Sequence, residues 1–97
     1  MAKVSRLGDA VTGYCSSGIH GYQDGVIIEC SPNVNANGIG VARVGDKVRA
    51  NCGHIGTIVS GALNTNANGR AIARIGDSFS GTYSGTIVAG SPNVDCE

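Results

Sequence analysis

The chain is poor in the large side chains that build an ordinary hydrophobic core. Its 97 residues include no tryptophan, one phenylalanine, one methionine and three tyrosines, against 16 glycines. With 41% hydrophobic residues and several β-branched runs, it is nevertheless too apolar for a disordered glycine-rich segment. We therefore expect one small domain with a thin, repetitive β core that needs an additional clip, such as a metal ion, a disulfide or a partner.

Charge and long apolar runs are also scarce. Seven basic and seven acidic residues give a formal net charge of zero, without any basic run. A nucleic-acid surface needs a patch that neutralises phosphates, so we expect no nucleic acid partner. No segment approaches the ~18 apolar residues of a membrane span. The opening residues MAKVSRLGD lack the apolar core of a signal peptide, and we expect synthesis as a soluble cytoplasmic chain.

What the sequence does contain is a threefold internal repeat. Its motifs are RLGD, RVGD and RIGD at 6–9, 43–46 and 74–77; GVII, GTIV and GTIV at 25–28, 56–59 and 85–88; SPNV, ALNT and SPNV at 31–34, 62–65 and 91–94; and NANG at 35–38 and 66–69. The motifs keep the same order in each repeat. We therefore predict a single domain over residues 1–97, with repeats at roughly 6–42, 43–73 and 74–97.

Each repeat has the pattern of a β-hairpin. β-branched runs entered from glycine favour strands, and Asn-Gly is the strongest short hairpin signal because both residues accept positive φ. The segments GVARV and RAIARI alternate small apolar and polar residues and predict return strands, whereas no window has helical periodicity. We predict an all-β fold, a small cone of three pseudo-threefold hairpin repeats. The opening AKVSRLGD would supply the return strand that the third repeat lacks and close the ring.

The repeats differ mainly in the segment between Gly-Asp and the next strand-like run. Counted from glycine to glycine, this segment spans 17 residues in the first repeat (Gly8 to Gly25), 11 in the second and 9 in the third. Variation in a repeat protein falls in loops on one face. We therefore expect these three loops to emerge together at one end of the threefold axis.

Both histidines and two of the four cysteines lie in these variable segments. Cys15 and His20 are in the first, Cys52 and His54 are in the second, and the third offers only Tyr83. Two thiols and two imidazoles form a tetrahedral ligand set for one transition metal ion, zinc or iron. The alternative is a buried thiol beside ordinary hydrogen-bonded loop histidines.

The remaining cysteines and the repeated charges have structural interpretations. Cys30 and Cys96 lie beside the turn motifs, at the opposite end of the repeat, and we expect them to be structural thiols. A Cys30–Cys96 disulfide is possible, but cytoplasmic synthesis argues against it. In each Arg-x-Gly-Asp motif we expect the aspartate to cap its turn and the arginine to pair across the repeat or cover apolar surface. Thiol catalysis by Cys52 and His54 needs a pocket that so thin a core does not promise, so we expect no enzyme.

The chain resembles the PAAR-repeat family, whose members tip the central spike of contractile phage tails, such as T4-like tails, and of the type VI secretion apparatus. The resemblance rests on the Arg-x-Gly-Asp units, on GTIVAGSPNV at 85–94 and on NCGHIGTIVSG at 51–61, and it covers essentially the whole chain. The Pro-Ala-Ala-Arg tetrad that names the family occurs here without proline, as GVAR at 40–43 and AIAR at 71–74.

The resemblance implies a cone whose apex is clipped by a metal ion. Family members hold this ion with histidines and a cysteine of the variable loops. By position His20, Cys52 and Cys15 match that pattern, and His54 falls within the same cluster. Tyr83 stands where some members have a ligand.

The resemblance also implies a partner and a mechanical role. The broad end would present a partly apolar docking base formed by Pro32, Val34, Leu63, Pro92 and Val94. A monomer would cap a homotrimeric β-helical spike, one tip per trimer, and touch the target outer membrane transiently during piercing. Its location would be the virion, at the tail baseplate, or outside the cell after type VI secretion. One rival is a metal-binding adaptor that docks other proteins or effectors; another is a small hydrolase or redox enzyme.

Overall fold

The computed structural model describes residues 2–15, 21–36, 38–62, 65–91 and 95–96. Every regular element among these residues is a β-strand, which confirms the predicted all-β class. The strands are β1 (Ala2–Lys3), β2 (Ala10–Cys15), β3 (Gly21–Ile27), β4 (Asn35–Ala36), β5 (Ile39–Gly40), β6 (Lys47–Ala50), β7 (Ile55–Ile58), β8 (Asn66–Ala67), β9 (Arg70–Ala71), β10 (Ser78–Gly81), β11 (Tyr83–Ile87) and β12 (Asp95–Cys96). The principal extents are 37 × 24 × 21 Å, consistent with a small β cone. The described part of the chain has no helix long and apolar enough to span a membrane.

Six of the strands form a closed antiparallel barrel in the order β10-β11-β2-β3-β6-β7. Each repeat contributes one hairpin, namely β2–β3, β6–β7 and β10–β11. Neighbouring repeats join through the pairs β3–β6, β7–β10 and β11–β2. Closure satisfies the hydrogen-bonding groups that an open sheet would leave at its edges.

The first strand of each barrel hairpin lies in a segment that we expected to be a loop. β2, β6 and β10 have the sequences AVTGYC, KVRA and SFSG, which are short and rich in small or polar residues, so their local strand signal is weak. Each strand forms because it pairs with its own repeat on one side and with the neighbouring repeat on the other. The predicted glycine-entered runs are the second strands of the hairpins.

The barrel interior is filled by equivalent residues of the three repeats. One set is Ile27, Ile58 and Ile87, and the next is Val11, Val48 and Phe79; each side chain is buried. Burying such a side chain stabilises the fold by about 1.5–3 kcal/mol. Alternation along the strands directs these residues inward, so short strands still build one continuous core.

Beyond the barrel, a ring of backbone hydrogen bonds encircles the threefold axis. The amide of Ser5 donates to the carbonyl of Ala73 at 3.0 Å, Ala73 donates to Ala42 at 2.9 Å, and Ala42 donates to Ser5 at 2.9 Å. All three residues are fully buried. The opening segment thus completes the ring as predicted, since Ser5 takes the place that Ala42 and Ala73 have in the other return segments.

Three two-stranded ribbons, β4–β5, β8–β9 and β1–β12, lie at the end of the fold away from the barrel hairpin turns, here called the basal end. Asn-Gly stands between the two strands of β4–β5 and of β8–β9, as predicted, but the predicted return strands are shorter: GVARV and RAIARI are regular strand only at Gly40 and at Arg70–Ala71. The glycine-entered runs pair with β2, β6 and β10 instead of with these segments. At the second turn, Asn68 and Gly69 have φ of 55° and 78°, the left-handed values that this turn requires. A second apolar cluster underlies the ribbons, comprising Val4, Ala36, Val41, Ala62, Ala67 and Ile72. The third ribbon joins the first strand to the last and so closes the repeat array.

Each Arg-x-Gly-Asp motif forms its own ion pair. Nε of Arg43 lies 2.9 Å from Oδ2 of Asp46. Arg6 and Arg74 pair in the same way with the aspartate three residues later. The aspartate also accepts from the arginine amide, so the predicted turn cap is confirmed. The predicted pairing across the repeat is wrong as the main interaction, because the i,i+3 turn places the two charges next to each other.

Candidate metal centre

Residues 51–53 form a tight turn between Ala50 of β6 and His54, at the end of the barrel that we call apical. The amide of Ala50 donates to the carbonyl of His54 at 2.8 Å, and Gly53 has φ of 98°. This is a three-residue hairpin loop whose last residue is left-handed, a position that favours glycine. The amide of Asn51 also donates to the carbonyl of Asp24 at 2.9 Å, which fixes the turn against β3. Backbone hydrogen bonds therefore fix the short turn that positions Cys52 and His54.

Cys15 reaches the same place from the end of β2. It is fully buried, and its backbone lies between Gly21 of β3 and Tyr83 of β11 in the barrel register. The Sγ atoms of Cys15 and Cys52 are 3.0 Å apart, and Cys52 Sγ is 3.2 Å from Nδ1 of His54. A ligand atom from each of these three residues lies within 4.8 Å of the other two.

The other residues proposed from the sequence fall in three groups. His20 lies outside the described residues, although it directly precedes Gly21, the strand partner of Cys15. Of the basal residues, Pro32 is exposed and Val34 is half-buried against the second apolar cluster. The rest of that set lies outside the described residues, namely Leu63, Pro92 and Val94.

Tyr83 occupies the apical position of the third repeat. Its side chain is fully buried, its ring packs against Phe79 at a centroid distance of 4.9 Å, and its hydroxyl donates to the carbonyl of Gln23 at 2.7 Å. Burial raises the pKa of Tyr83 to about 12, and the nearby Cys15 adds to the rise. Tyr83 is therefore a neutral hydrogen-bond donor that ties β11 to β3. The sequence drew attention to this residue but gave no signal for its partner.

The environment distinguishes the two thiols of the cluster. Burial raises the pKa of Cys15 to about 11, and the hydrogen bond with Cys52 contributes in the same direction. Burial also acts to raise the pKa of Cys52, but hydrogen bonds from the Cys15 thiol and from the amides of Cys52 and His54 outweigh it and lower the pKa below its ordinary value. Cys52 is therefore the more acidic of the two thiols.

The chemistry of the donor set fits one transition metal ion. Metal–sulfur and metal–nitrogen distances of about 2.3 and 2.0 Å put two ligands of one tetrahedral ion about 3.3–3.8 Å apart. The observed separations of 3.0 and 3.2 Å are slightly shorter, and small side-chain rotations would reach that range. Thiolate and imidazole ligands suit zinc or iron. A closed structural site takes four ligands, and His20, which directly precedes Gly21 in the sequence, is the predicted fourth.

Fold and cluster together define a small all-β repeat protein whose apical thiols and imidazole can hold a metal ion. Comparison with protein families agrees, since the model of the PAAR motif matches residues 17–81 of the 97. The match covers more than half of the chain, and the chain belongs to the PAAR-motif family. This membership supports, in broad terms, a role as a spike tip or spike adaptor. No curated protein sequence matches the chain.

Proposed function

We propose that this protein is the tip of a contractile spike, a rigid point that caps a homotrimeric β-helical partner with one copy per trimer. Its role is mechanical rather than enzymatic: it concentrates the force of contraction on a small area of the target cell's outer membrane. The tip itself is a monomer. It is made in the cytoplasm and works at the baseplate of a virion or after delivery by a type VI apparatus.

The observation that carries this proposal is the threefold arrangement within a single chain. The hydrogen-bonded ring of Ser5, Ala42 and Ala73 places three equivalent segments around one axis, and three ribbons extend from it at the basal end. A pseudo-threefold base is suited to the end of a partner with true threefold symmetry, because each repeat can meet one subunit in the same way. Pro32, exposed beside the first ribbon, belongs to the docking face of this proposal.

The proposed metal ion holds the apical end together. The turn of β6–β7 and the end of β2 come from different repeats. Zinc or iron bound by Cys15, Cys52, His54 and His20 would link these segments and contribute its binding free energy to folding. Bound metal supplies cross-linking here and no reaction step.

A second role, as an adaptor that carries another protein on the spike, is favoured by one feature. Tyr14 and Tyr22 form an edge-to-face pair on the outside of the β2–β3 hairpin, with ring centroids 5.1 Å apart. Tyr22 is 84% exposed, and Tyr14 is 46% exposed. Exposed tyrosines are enriched at protein interfaces, and neither of the other two hairpins has a matching pair in its sequence.

Docking can be tested by mixing the purified protein with a trimeric β-helical spike and measuring the mass of the complex by light scattering after gel filtration. We expect one tip per three spike chains. The Pro32→Asp variant should bind at least tenfold more weakly, because it places a charge on the docking face. The Tyr22→Asp variant carries the same charge near the opposite end and should bind like the parent protein.

Two results would separate the alternatives. Failure of the parent protein to bind a trimeric spike at micromolar concentrations would overturn the proposed partner. If the Tyr22→Asp variant docks but loses a cargo protein, and if envelope penetration is the same with and without the tip protein, the adaptor role would stand in place of piercing.

A further inference from the structure

The two apical thiols have a geometry that suits a second chemical state. We propose that Cys15 and Cys52 form a reversible disulfide when no metal ion is bound, so that the apical end can be clipped by either a metal or a covalent bond. This inference shares the cysteines of the proposed metal site, but it does not depend on the spike-tip role.

The first argument is the closeness of the two sulfur atoms. Their separation is 3.0 Å, and a disulfide bond needs about 2.05 Å. The remaining approach of about 1 Å can come from side-chain rotation. The backbones, which are both held in place, would not have to move. Cys15 is paired on both sides in the barrel, and Cys52 lies in the turn closed by Ala50 and His54. The bond would link residues 37 positions apart, and therefore two different repeats.

The second argument is that the two thiols differ in access. Cys15 has no exposed surface, whereas Cys52 is only partly buried. A small oxidant in solution therefore reaches Cys52 first. Cys15 lies next to the oxidised Cys52 and acts as the resolving thiol. Cys30 is a free thiol in the segment that leads to the basal end, so it is not placed to compete for Cys52.

A low-molecular-weight disulfide such as glutathione disulfide is the oxidant that fits this order. The Cys52 thiolate attacks one sulfur of the small disulfide, which forms a mixed disulfide on Cys52 and releases one small thiolate. The Cys15 thiolate then attacks Cys52 Sγ, which forms the Cys15–Cys52 bond and releases the second small thiolate. Two protein thiols are oxidised, one small disulfide is reduced to two thiols, and the two protein protons end on those thiols.

The two states exclude each other. A sulfur atom in the disulfide no longer offers the thiolate that a transition metal takes as ligand, and a thiolate bound to a metal is a poorer nucleophile towards the oxidant. Metal loading should therefore slow oxidation, and oxidation should prevent metal uptake. Reduction of the disulfide restores the metal-binding form.

The experiment uses the full chain with Cys30→Ser and Cys96→Ser, so that only the apical cysteines remain. Protein stripped with a chelator and protein loaded with zinc are each treated with glutathione disulfide, and products are identified by intact mass and peptide mapping. We expect the stripped protein to lose two hydrogens with a Cys15–Cys52 linkage, at a rate at least tenfold above that of the zinc-loaded protein. With Cys15→Ser added, a mixed disulfide should accumulate on Cys52. With Cys52→Ser added, Cys15 should stay a thiol.

Stripped protein that keeps its circular dichroism spectrum but retains both thiols, or stops at a mixed disulfide, would overturn the proposal. If chelation unfolds the chain, the unfolded protein is refolded in a glutathione redox buffer that still contains the chelator. Folded protein with the Cys15–Cys52 bond then supports the proposal, and folded protein without it, or no folding at all, contradicts it. Metal content measured by elemental analysis is a separate readout, so failure of the metal site and failure of the disulfide are distinguishable.

Discussion

The amide of Ala73 donates to the carbonyl of Ala42 at 2.9 Å, and neither residue exposes any surface. Together with Ser5 they form the innermost ring of the fold, where backbones of three repeats approach closely. A side chain larger than alanine or serine has little room at such a position. The size of the side chain, more than its polarity, should therefore decide what the ring tolerates.

We predict that Ala42→Val lowers the free energy of unfolding by about 1–3 kcal/mol, because overpacking forces the surrounding backbone apart. Ser5→Ala is the matched variant: it makes the ring all-alanine and, among the residues that the structure describes, removes the hydrogen bond from Ser5 Oγ to the carbonyl of Ala89, which is 3.2 Å long. Its cost should be about 1 kcal/mol or less. Urea denaturation followed by circular dichroism measures both, and equal losses would contradict the packing argument.

The three Arg-x-Gly-Asp ion pairs differ in burial, and their contributions should differ accordingly. The side chain of Arg43 is 9% exposed and also donates to the carbonyl of Cys30 and to Asn68, whereas the side chain of Arg74 is 24% exposed. We predict a loss of about 3 kcal/mol for Arg43→Met, because Asp46 stays buried with its main partner gone. Arg74→Met should cost about 1 kcal/mol.

Both variants can be compared by their urea midpoints in one buffer. Nη2 of Arg70 lies 3.7 Å from Oδ1 of Asp46, so Arg70 can compensate partly for the lost charge of Arg43. The double variant with Arg70→Gln should then lose more than the sum of the two single losses. A loss for Arg74→Met as large as that for Arg43→Met would show that burial does not set the order.

The hydroxyl of Tyr83 is expected to stabilise the apical end through its bond to the carbonyl of Gln23. Tyr83→Phe keeps the ring against Phe79 but removes the donor, and we predict a loss of about 1–2 kcal/mol in thermal or urea unfolding. Tyr14→Phe is the control, since that hydroxyl belongs to a side chain that is 46% exposed. If Tyr83 were instead a metal ligand, Tyr83→Phe would lower the metal content of the purified protein.

Metal content and stability should change together at the apical cysteines. Freshly purified protein is expected to hold about one zinc or iron ion per chain in elemental analysis, as one closed site requires. Cys52→Ser should lose most of this metal and unfold at a lower temperature, and a chelator should bring the parent protein to the same temperature. Cys30→Ser is the matched control and should keep its metal. Absence of stoichiometric metal from the parent protein would refute the metal site.

Local sequence signals predicted the parts of the fold that depend on neighbouring residues. The Asn-Gly turns were predictable because positive φ at both positions favours these two residue types in one turn geometry. The buried Ile27, Ile58 and Ile87 were predictable as strand residues because each lies in a β-branched run entered from glycine. Comparison of the repeats predicted that the opening segment closes the ring, because equivalent segments occupy equivalent positions even where their sequences differ.

The remaining features depend on contacts between repeats. β6 consists of four residues, and half of its pairing is with β3 of the preceding repeat, which no local pattern reveals. The meeting of Cys15 with Cys52 followed from the symmetry argument. The donor role of Tyr83 did not, because it requires knowing that β3, which carries Gln23, lies two strands away from β11 in the barrel. The same holds for the pKa difference between the two thiols, which arises from the burial of Cys15 and from the hydrogen bonds that Cys52 accepts.

The ring and the barrel also limit how such a chain can evolve. Hydrogen bonds among Ser5, Ala42 and Ala73 all run in one rotational sense, and the last ribbon returns to the first strand. A duplicated or deleted repeat would have to open both closures at once, so the number of repeats is fixed at three. The apical hairpins are not held by these two closures, and their lengths already differ among the three repeats. New chemistry is therefore most easily acquired at the apical end, while the threefold arrangement of the basal end stays unchanged.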